Sequence, residues 1–385
     1  MMFERKDSVL ALDIGTAGVK GVEVNLDRGR PILRKAAVRE LHYSGEGERG
    51  GQRPEALPRL MAAVSDLLAE LGVRPGKARR LVTCLPGPKV SIKQIKCLAL
   101  PEAEMRSALV FEARKHLPVE GDVLMDYQLL NRRGEEQDVL LVVTTKQAVN
   151  AHLALLEACG LKGGVLEAPS LALWNAFLRQ HPAYSGPGSS ALAAAGTIAT
   201  EGQTAPLPVG CIDIGATSTG LSFFHLPGLY LTRDIAIAGD RFTEDMRQNQ
   251  GSDFPTAEKA KTAGGLFKDA PSKGSTVMTL ELEGEGGKGQ PSLQTLVREI
   301  QRSIRYYLKE AGQAKLEGLM LAGGSAADAG LREHLQKELG LSVKPLDPVE
   351  GWEGAELIPA SARPRFAQAV GMALRGAHEF FPHQP

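Results

Sequence analysis

Two stretches of this chain repeat one another closely enough to constrain its architecture before anything else is weighed. LALDIGTAGVKGVEV and GCIDIGATSTGLSFF align strand on strand and bring Asp13 and Asp213, 200 residues apart, into equivalent places. A single Asp-Ile-Gly is an ordinary strand-end turn. A duplicated one inside the same apolar pattern implies two lobes of one design. In each copy a strand ends in Asp-Ile-Gly, a small polar turn follows, and a second strand leaves at once, as in a tight β-hairpin. A third short strand completes each set: VLALDIG, VKGVEVNL and PILRKAAVREL in the first, VGCIDIGA, TGLSFFHL and LYLTRDIAI in the second.

Between and around these sets the periodicity alternates. Leu57, Leu60, Met61, Val64, Leu67, Leu68 and Leu71 recur at helical spacing and Gly72 supplies a stop. RRLVTCLPG, VSIKQIKCLAL, MDYQLL and DVLLVVTT read as strands, and PEAEMRSALVFEARKHL and KQAVNAHLALLEACG as helices, so this middle block reads as its own α+β unit. Residues 183–208 are mostly Ala, Gly, Ser, Thr and Pro with a single charge and read as a poorly ordered linker, and the turn-rich stretch 284–292 joins a strand to a helix. Beyond it a long helix carries Leu293, Leu296, Val297, Ile300, Ile304, Tyr307 and Leu308 on one face. LEGLMLAGG follows as a strand, then a helix through Leu331, Leu335 and Leu339, and a last helix around RFAQAVGMALRGA.

The chain's 385 residues suit two lobes with large cores of their own. Lys plus Arg equals Asp plus Glu at 45 each, which removes the global positive field of a nucleic-acid binder. Cys84, Cys97, Cys159 and Cys211 are widely spaced with no ligand partner, so a zinc site and a disulfide framework are both disfavoured. The amino terminus is neither a signal peptide nor a spanning segment, and no later stretch reaches spanning length. A membrane role would require recruitment by another protein.

The repeated turns suggest their own chemistry. Gly15 and Gly215 allow a sharp turn and close approach of an anion to backbone N–H groups, while Thr16, Thr217 and Ser218 add hydroxyl donors. Two such hairpins facing one another would grip a polyphosphate. Aspartates beside a polyphosphate repel it unless a cation intervenes, so Asp13 and Asp213 point to hydrated Mg²⁺ between carboxylate and phosphate. Lys20 either neutralises phosphate charge or faces solvent. Near the carboxyl end, Gly323 and Gly324 would let backbone pass close to a flat or charged ligand, and Ser325 sits where it could cap the next helix.

With DIGTAGVK, DIGATSTG and LAGGSA in this order over essentially the whole chain, the sequence resembles the actin-like ATPase superfamily. LPGPKVSIKQIKCLALPEAEMRSALVFEARKHLPVEGDVLMDYQLL, GDRFTEDM with AEKAK, REIQRSIRYYL and FAQAVGMALR make it similar to the PilM family of type IV pilus assembly proteins, relatives of the FtsA division proteins. The resemblance implies an α/β, actin-like (ribonuclease H-like) two-lobed fold with a nucleotide site in the cleft and an inserted α+β subdomain of the 1C type. The first lobe would span 1–77, the insertion 78–162, a return helix 163–182 and the linker 183–208. The second lobe (2A and 2B) would span 209–360, and a closing helix at 361–381 would pack on the first.

The same resemblance assigns residues. Asp13 and Asp213 would hold magnesium, Gly15, Thr16, Lys20, Gly215, Thr217 and Ser218 the phosphates of ATP, Glu258 and Lys261 the ribose and adenine, and Gly323, Gly324 and Ser325 the adenine wall. Glu167 in LEAPSLAL would orient the attacking water. That segment departs from the Gln-Glu-Pro type of strongly hydrolytic members, which implies ATP binding with hydrolysis weak or absent. Ala238 replaces the first glycine of a common Gly-Gly pair before Asp240, which would alter the second lobe's hairpin without abolishing binding.

The implied function is a cytoplasmic ATP-binding adaptor of the pilus, or of a related secretion or competence apparatus. It would be recruited to the inner membrane by the cytoplasmic N-terminal tail of a PilN-like protein, with self-association left open. Two other readings compete. A small-metabolite kinase needs a base and an acceptor pocket that no segment supplies. An FtsA-like filament protein would end in a basic amphipathic helix, whereas Phe380 and Phe381 come without Lys or Arg.

Overall fold

A computed structural model describes residues 8–41, 56–74, 80–116, 122–181, 184, 207–225, 230–266 and 291–380. The expected linker 183–208 and the turn-rich stretch 284–292 lie outside the described residues except at their margins, as do the amino terminus at 1–7 and Phe381.

The first repeat folds as an antiparallel meander of β1 (Ser8–Ile14), β2 (Gly18–Asp27) and β3 (Arg30–Glu40). Helix α1 (Ala56–Glu70) follows and stops at Gly72, whose φ of 64° suits a residue without Cβ. Val64, Leu67, Leu68 and Leu71 are buried while Leu57 is 54% exposed, because the first turn of α1 runs out along the rim of the cleft. β4 (Leu81–Cys84) pairs in parallel with β1, completing a run of strands apolar on both faces, as a sheet sandwiched between helices requires.

The chain then leaves the first lobe. β5 (Val90–Leu98), α2 (Glu102–His116), β6 (Val123–Arg133) and β7 (Glu136–Thr145) form an antiparallel three-stranded layer in the order β5-β7-β6, backed by a helix. Met105, Leu109 and Ala113 of α2 cover Val139, Leu141 and Val143. The opposite face sets Ile92, Leu130 and Leu140 against Ala168 and Leu171 of the first lobe. The inserted unit is therefore narrower than the expected block 78–162. β4 belongs to the first sheet, and α3 (Lys146–Ala158) returns to the first lobe, where Leu156, Cys159 and Leu161 join Leu67 and Leu68. Local periodicity marked these elements correctly, but which sheet or core receives each is a long-range choice that periodicity does not carry.

β8 (Val165–Glu167) closes the first sheet in the order β3-β2-β1-β4-β8, and α4 (Pro169–Gln180) follows with Pro169 in its first turn. α4 serves both lobes. Ala172 packs in the first-lobe core, while Trp174 and Phe177 meet Phe224, Cys211 and Val209 of the second, the Trp174 and Phe224 rings 4.2 Å apart.

The second repeat gives β9 (Val209–Ile214), β10 (Thr219–Phe224) and β11 (Leu231–Ile235), again an antiparallel meander. Then come α5 (Gly239–Gln250) and α6 (Phe254–Ala260), which contribute mainly Phe242, Met246, Phe254 and Ala257 to the interior, too sparse a pattern for periodicity to mark. α7 (Pro291–Ala311) buries Leu293, Leu296, Val297, Ile300, Ile304 and Tyr307, as its spacing predicts. β12 (Gly318–Gly323), α8 (Ala329–Leu339), β13 (Val343–Pro345) and α9 (Ala367–Phe380) complete the chain. The second sheet runs β13-β12-β9-β10-β11-β5-β7-β6, so the inserted strands extend it. α9 packs on β1, β2 and β4 beside α4, with Val370, Met372 and Ala373 fully buried.

Candidate functional site

The two hairpins face each other across a cleft of about 1290 Å³. Their tips meet, with Thr16 Oγ1 3.3 Å from Thr217 Oγ1. In each, the glycine amide is spent on the turn itself: Gly15 N–H donates to Gly18 O and Gly215 N–H to Ser218 O, both at 3.1 Å. An added Cβ would stand 3.1 Å from Gly18 O in the first and 3.0 Å from Ser218 O in the second. Glycine is therefore favoured by the closeness of the hairpin's own carbonyl, and with its amide already engaged any anion contact falls to the tips beyond it.

Pairing register makes the two halves electrostatically unequal. In the first hairpin Lys20 lies directly opposite Asp13, on the same face of the ladder, and its Nζ donates to Asp13 Oδ2 at 2.6 Å. Lys20 thus faces inward rather than toward solvent. In the second hairpin the residue opposite Asp213 is Gly220, which brings no charge. Burial pushes the Asp213 carboxyl up to about 6; Lys20 pulls it down, and the like charges of Asp13 and Asp234 push it further up. Asp213 is the carboxylate left wanting a cation. Among the described residues no group of three His, Cys, Asp or Glu side chains is placed to hold a metal. A magnesium ion at Asp213 would complete its shell with water and phosphate oxygens, which is its usual habit. The residues present fit that ion.

The second lobe's hairpin is braced from below. Gly239 N–H donates to Gly215 O and Asp240 N–H to Ala216 O, tying the start of α5 to the turn. Ala238 is extended, with φ and ψ both −161°, a conformation open to any residue, so alanine is accommodated there without backbone strain. Lys261 Nζ donates to Gly239 O at 2.8 Å and to Thr243 Oγ1 and Glu258 Oε2 at 2.7 Å each. An ammonium has three donors, and all three are engaged here. Lys261 thus clasps Glu258 and the turn together and is not poised to reach a base. Thr243 also donates to Glu258, fixing one carboxylate oxygen.

At the end of β12, Gly323 has φ of 90°, and a Cβ there would press on Ile214 O and come within 2.6 Å of Asp213 Oδ1. Only glycine lets β12 end beside Asp213. Gly324 and Ser325 also line the cleft, but Ser325 makes no helix cap. That role belongs to Asp328, whose Oδ1 accepts the Leu331 N–H at 3.0 Å.

All the expected ligand-contacting positions therefore line one cleft, with the exception of Glu167. Its Oε1 accepts the Ala168 N–H at 2.8 Å and its Oε2 lies 3.6 Å from Arg375 Nε of α9. The side chain is directed at the closing helix, and burial raises its carboxyl to about 7. An acid so raised favours folding below its ordinary value of 4.5, and that contribution is lost as pH climbs from 4.5 to 7. Glu167→Gln should therefore gain stability relative to the parent across that interval and level off above it, with nucleotide affinity unchanged. Melting temperatures of both proteins from pH 4.5 to 8 check this; a constant difference would refute it.

Several cleft residues carried no signal in the sequence. Cys84 and Gln368 meet at its floor, Sγ to Nε2 2.7 Å, across 284 residues of chain. Asp234 stands against Gly87, its carboxyl raised to about 6 by burial. Pro86-Gly87-Pro88 was the only local hint, as a turn.

Paired lobes, duplicated hairpins and a cleft between them define an actin-like α/β protein. The chain belongs to the PilM family: the family described as type IV pilus assembly protein PilM matches residues 11–377. A solved PilM-PilN type IV pilus biogenesis complex is similar at 25% identity, with a TM-score of 0.73 over 96% of this chain and 98% of that one. The ethanolamine utilization protein EutJ of Carboxydothermus hydrogenoformans shares the fold, at 14% identity and a TM-score of 0.52 over 95% and 89% of the two chains. The cell division protein FtsA of Rhizobium meliloti (strain 1021) is 24% identical over 181 residues, 43% of this chain. That match spans only 40% of FtsA's own length. Among the described residues no helix is long and apolar enough to cross a membrane.

Proposed function

We propose that this protein is an ATP-binding adaptor of a type IV pilus or related assembly platform. It would hold Mg-ATP between its lobes and engage the cytoplasmic N-terminal segment of a PilN-like membrane protein, which brings it to the cytoplasmic face of the inner membrane. The observation that carries the nucleotide half is the meeting of Thr16 and Thr217 over a cleft walled by Asp13 and Asp213. Its volume, about 1290 Å³, is ample for a ligand of nucleotide size. The partner half rests on family membership and on the likeness to a PilM-PilN complex.

Each residue then has a task. Asp213 would hold the hydrated metal, Lys20 is paired with Asp13, and Thr16, Thr217 and Ser218 would present hydroxyls to phosphate. Glu258, held by Lys261 and Thr243, lines the cleft where ribose hydroxyls would lie. Bound magnesium supplies the positive charge that lets triphosphate approach two aspartates. Glu167 faces Arg375, so the cleft has no water-orienting group at that position, and the reading is of nucleotide as a conformational ligand with little or no hydrolysis.

Calorimetric titration of ATP with and without Mg²⁺ tests the first half, and capture of the protein by the immobilised cytoplasmic peptide of its membrane-anchored neighbour tests the second. Micromolar, magnesium-dependent binding is expected. Turnover of a metabolite at an ordinary kinase rate, or no heat with ATP, would overturn the reading.

A further inference from the structure

The second sheet has one narrow place. Among the described residues, Leu231 opposite Lys93 is the single register pair between β11 and β5. By contrast, β5 and β7 stay in register from Val90–Thr144 to Leu98–Glu136. Side chains supply what the ladder lacks. Tyr230 N–H donates to Gln94 Oε1 at 2.8 Å, and Tyr230 O–H donates to Ser170 Oγ of α4 at 2.8 Å. The Tyr230 ring stacks on Phe224 with centroids 5.6 Å apart. Tyr230 therefore joins the inserted subdomain, the first lobe and the second lobe at one point. Farther along β11, Asp234 abuts Gly87 in the turn that leads into β5, and both residues line the cleft.

The inserted subdomain is thus joined to both lobes, and its face bearing Ile92, Leu130 and Leu140 packs on Ala168 and Leu171 of the first. It is covalently continuous with the first lobe through β4 and α3, and it is hydrogen-bonded to the second lobe through β11. A body attached to both lobes has to be carried or sheared when the angle between them changes. A join of one backbone pair and a few polar contacts is weak enough to respond, while the flanking ladders are not.

We propose that the β11–β5 seam, pinned by Tyr230, couples the cleft to the inserted subdomain. A ligand that draws the lobes together then stiffens or turns the subdomain, and a protein partner seated on the subdomain alters cleft affinity by the same factor. The proposal rests on the reading that the cleft takes nucleotide. Tyr230 and Gln94 lie outside the lining of the cleft and act as positioning residues, and Ser170, which does line it, receives the Tyr230 hydroxyl.

Hydrogen exchange on the full-length protein tests this with Tyr230→Phe, which loses the bond to Ser170, and Gln94→Ala, which removes the acceptor for the Tyr230 amide. In the ligand-free protein each variant should accelerate exchange in β11 (Leu231–Ile235) and β5 (Val90–Leu98) together, by roughly fivefold, the factor corresponding to one typical hydrogen bond. With saturating Mg-ATP the parent should gain protection in β5 and β7. Both variants should lose at least half of that gain while binding ATP with an affinity within about twofold of the parent's. If neither variant moves β5, or if ATP protects β9 and β10 but leaves β5 unchanged in the parent, the coupling is overturned and the nucleotide reading stands. If calorimetry finds no ATP binding, the nucleotide reading falls, and the ligand-free comparison alone decides whether the seam links the two bodies.

Discussion

Replacing Asp213 with asparagine is expected to stabilise the ligand-free protein at pH 7.5 and, at the same time, to remove most of its affinity for Mg-ATP. The two effects share one cause. Burial raises the Asp213 carboxyl from its ordinary 3.8 to about 6, so keeping it charged in the empty cleft at neutral pH works against folding. For an acid raised in the folded state, the native protein holds the proton longer. Stability is therefore fullest below 3.8, declines as pH rises to about 6, and is flat above that. Two units correspond to an upper bound near 3 kcal/mol, and the side chain is partly solvated, so a gain on the order of 1–2 kcal/mol is expected. That is a rise of a few degrees in melting temperature at pH 7.5, shrinking toward zero near pH 4. Asparagine is nearly isosteric and leaves Gly323 room to end β12 beside it. It cannot hold a hydrated cation by charge, and loss of one member of a buried charge pair typically costs 30-fold or more, so ATP affinity should fall on the order of a hundredfold. Thermal scans across pH and a titration with Mg-ATP read both signs. A variant less stable than its parent at pH 7.5 would mean that Asp213 is satisfied in the empty protein and that the cleft does not wait for a cation.

The contrast between Asp213 and Asp13 also marks where the sequence stopped being legible. Both aspartates, both glycines and both hydroxyl tips could be named from the duplicated motif, because a motif is local and its spacing survives in one dimension. That Lys20 turns inward follows from hairpin register, since a two-strand ladder with a short turn puts Asp13 and Lys20 opposite each other; the alternative of a solvent-facing lysine could have been dismissed on that ground. Gly220 in the equivalent position of the second copy is equally readable and equally consequential. Other features were closed to inspection. Cys84 and Gln368 meet across 284 residues of chain, and the extension of the second sheet by β5 depends, among the described residues, on one long-range pair at Leu231. Glu167 was legible as an acid beside the helix start at Pro169, but its direction is fixed by α9, far away in sequence. Lys261 was legible only as a charge on a helix end, and its three acceptors come from two residues of α5, Gly239 and Thr243, and from Glu258 of α6.

The closing helix gives the larger stability prediction. Gly371 of α9 faces the backbone of Ala172 in α4, and an added Cβ would overlap the Ala172 carbonyl oxygen and come within 2.6 Å of its carbon. Unlike a side chain, a helix carbonyl cannot rotate aside, so Gly371→Ala must push the two helices apart. That separation reopens a core in which Ala172, Val370, Met372 and Ala373 are fully buried. Overpacking costs of 1–3 kcal/mol are usual where side chains yield, and here the lower end is closed off, so about 3 kcal/mol or more is expected, read as a melting temperature lower by roughly 4 °C or more. Gly376 on the same helix is the internal control. A Cβ there meets Val82 and Val9 methyl groups rather than helix backbone, so Gly376→Ala should cost less than Gly371→Ala. The damage at Gly371 should also reach the cleft, because α9 carries Gln368 to Cys84 at its floor and α4 carries Trp174 and Phe177 into the second lobe. Mg-ATP affinity should thus fall with Gly371→Ala and hold with Gly376→Ala. If both variants melted alike, with affinity intact, the α4–α9 crossing would not be the joint that sets one lobe against the other.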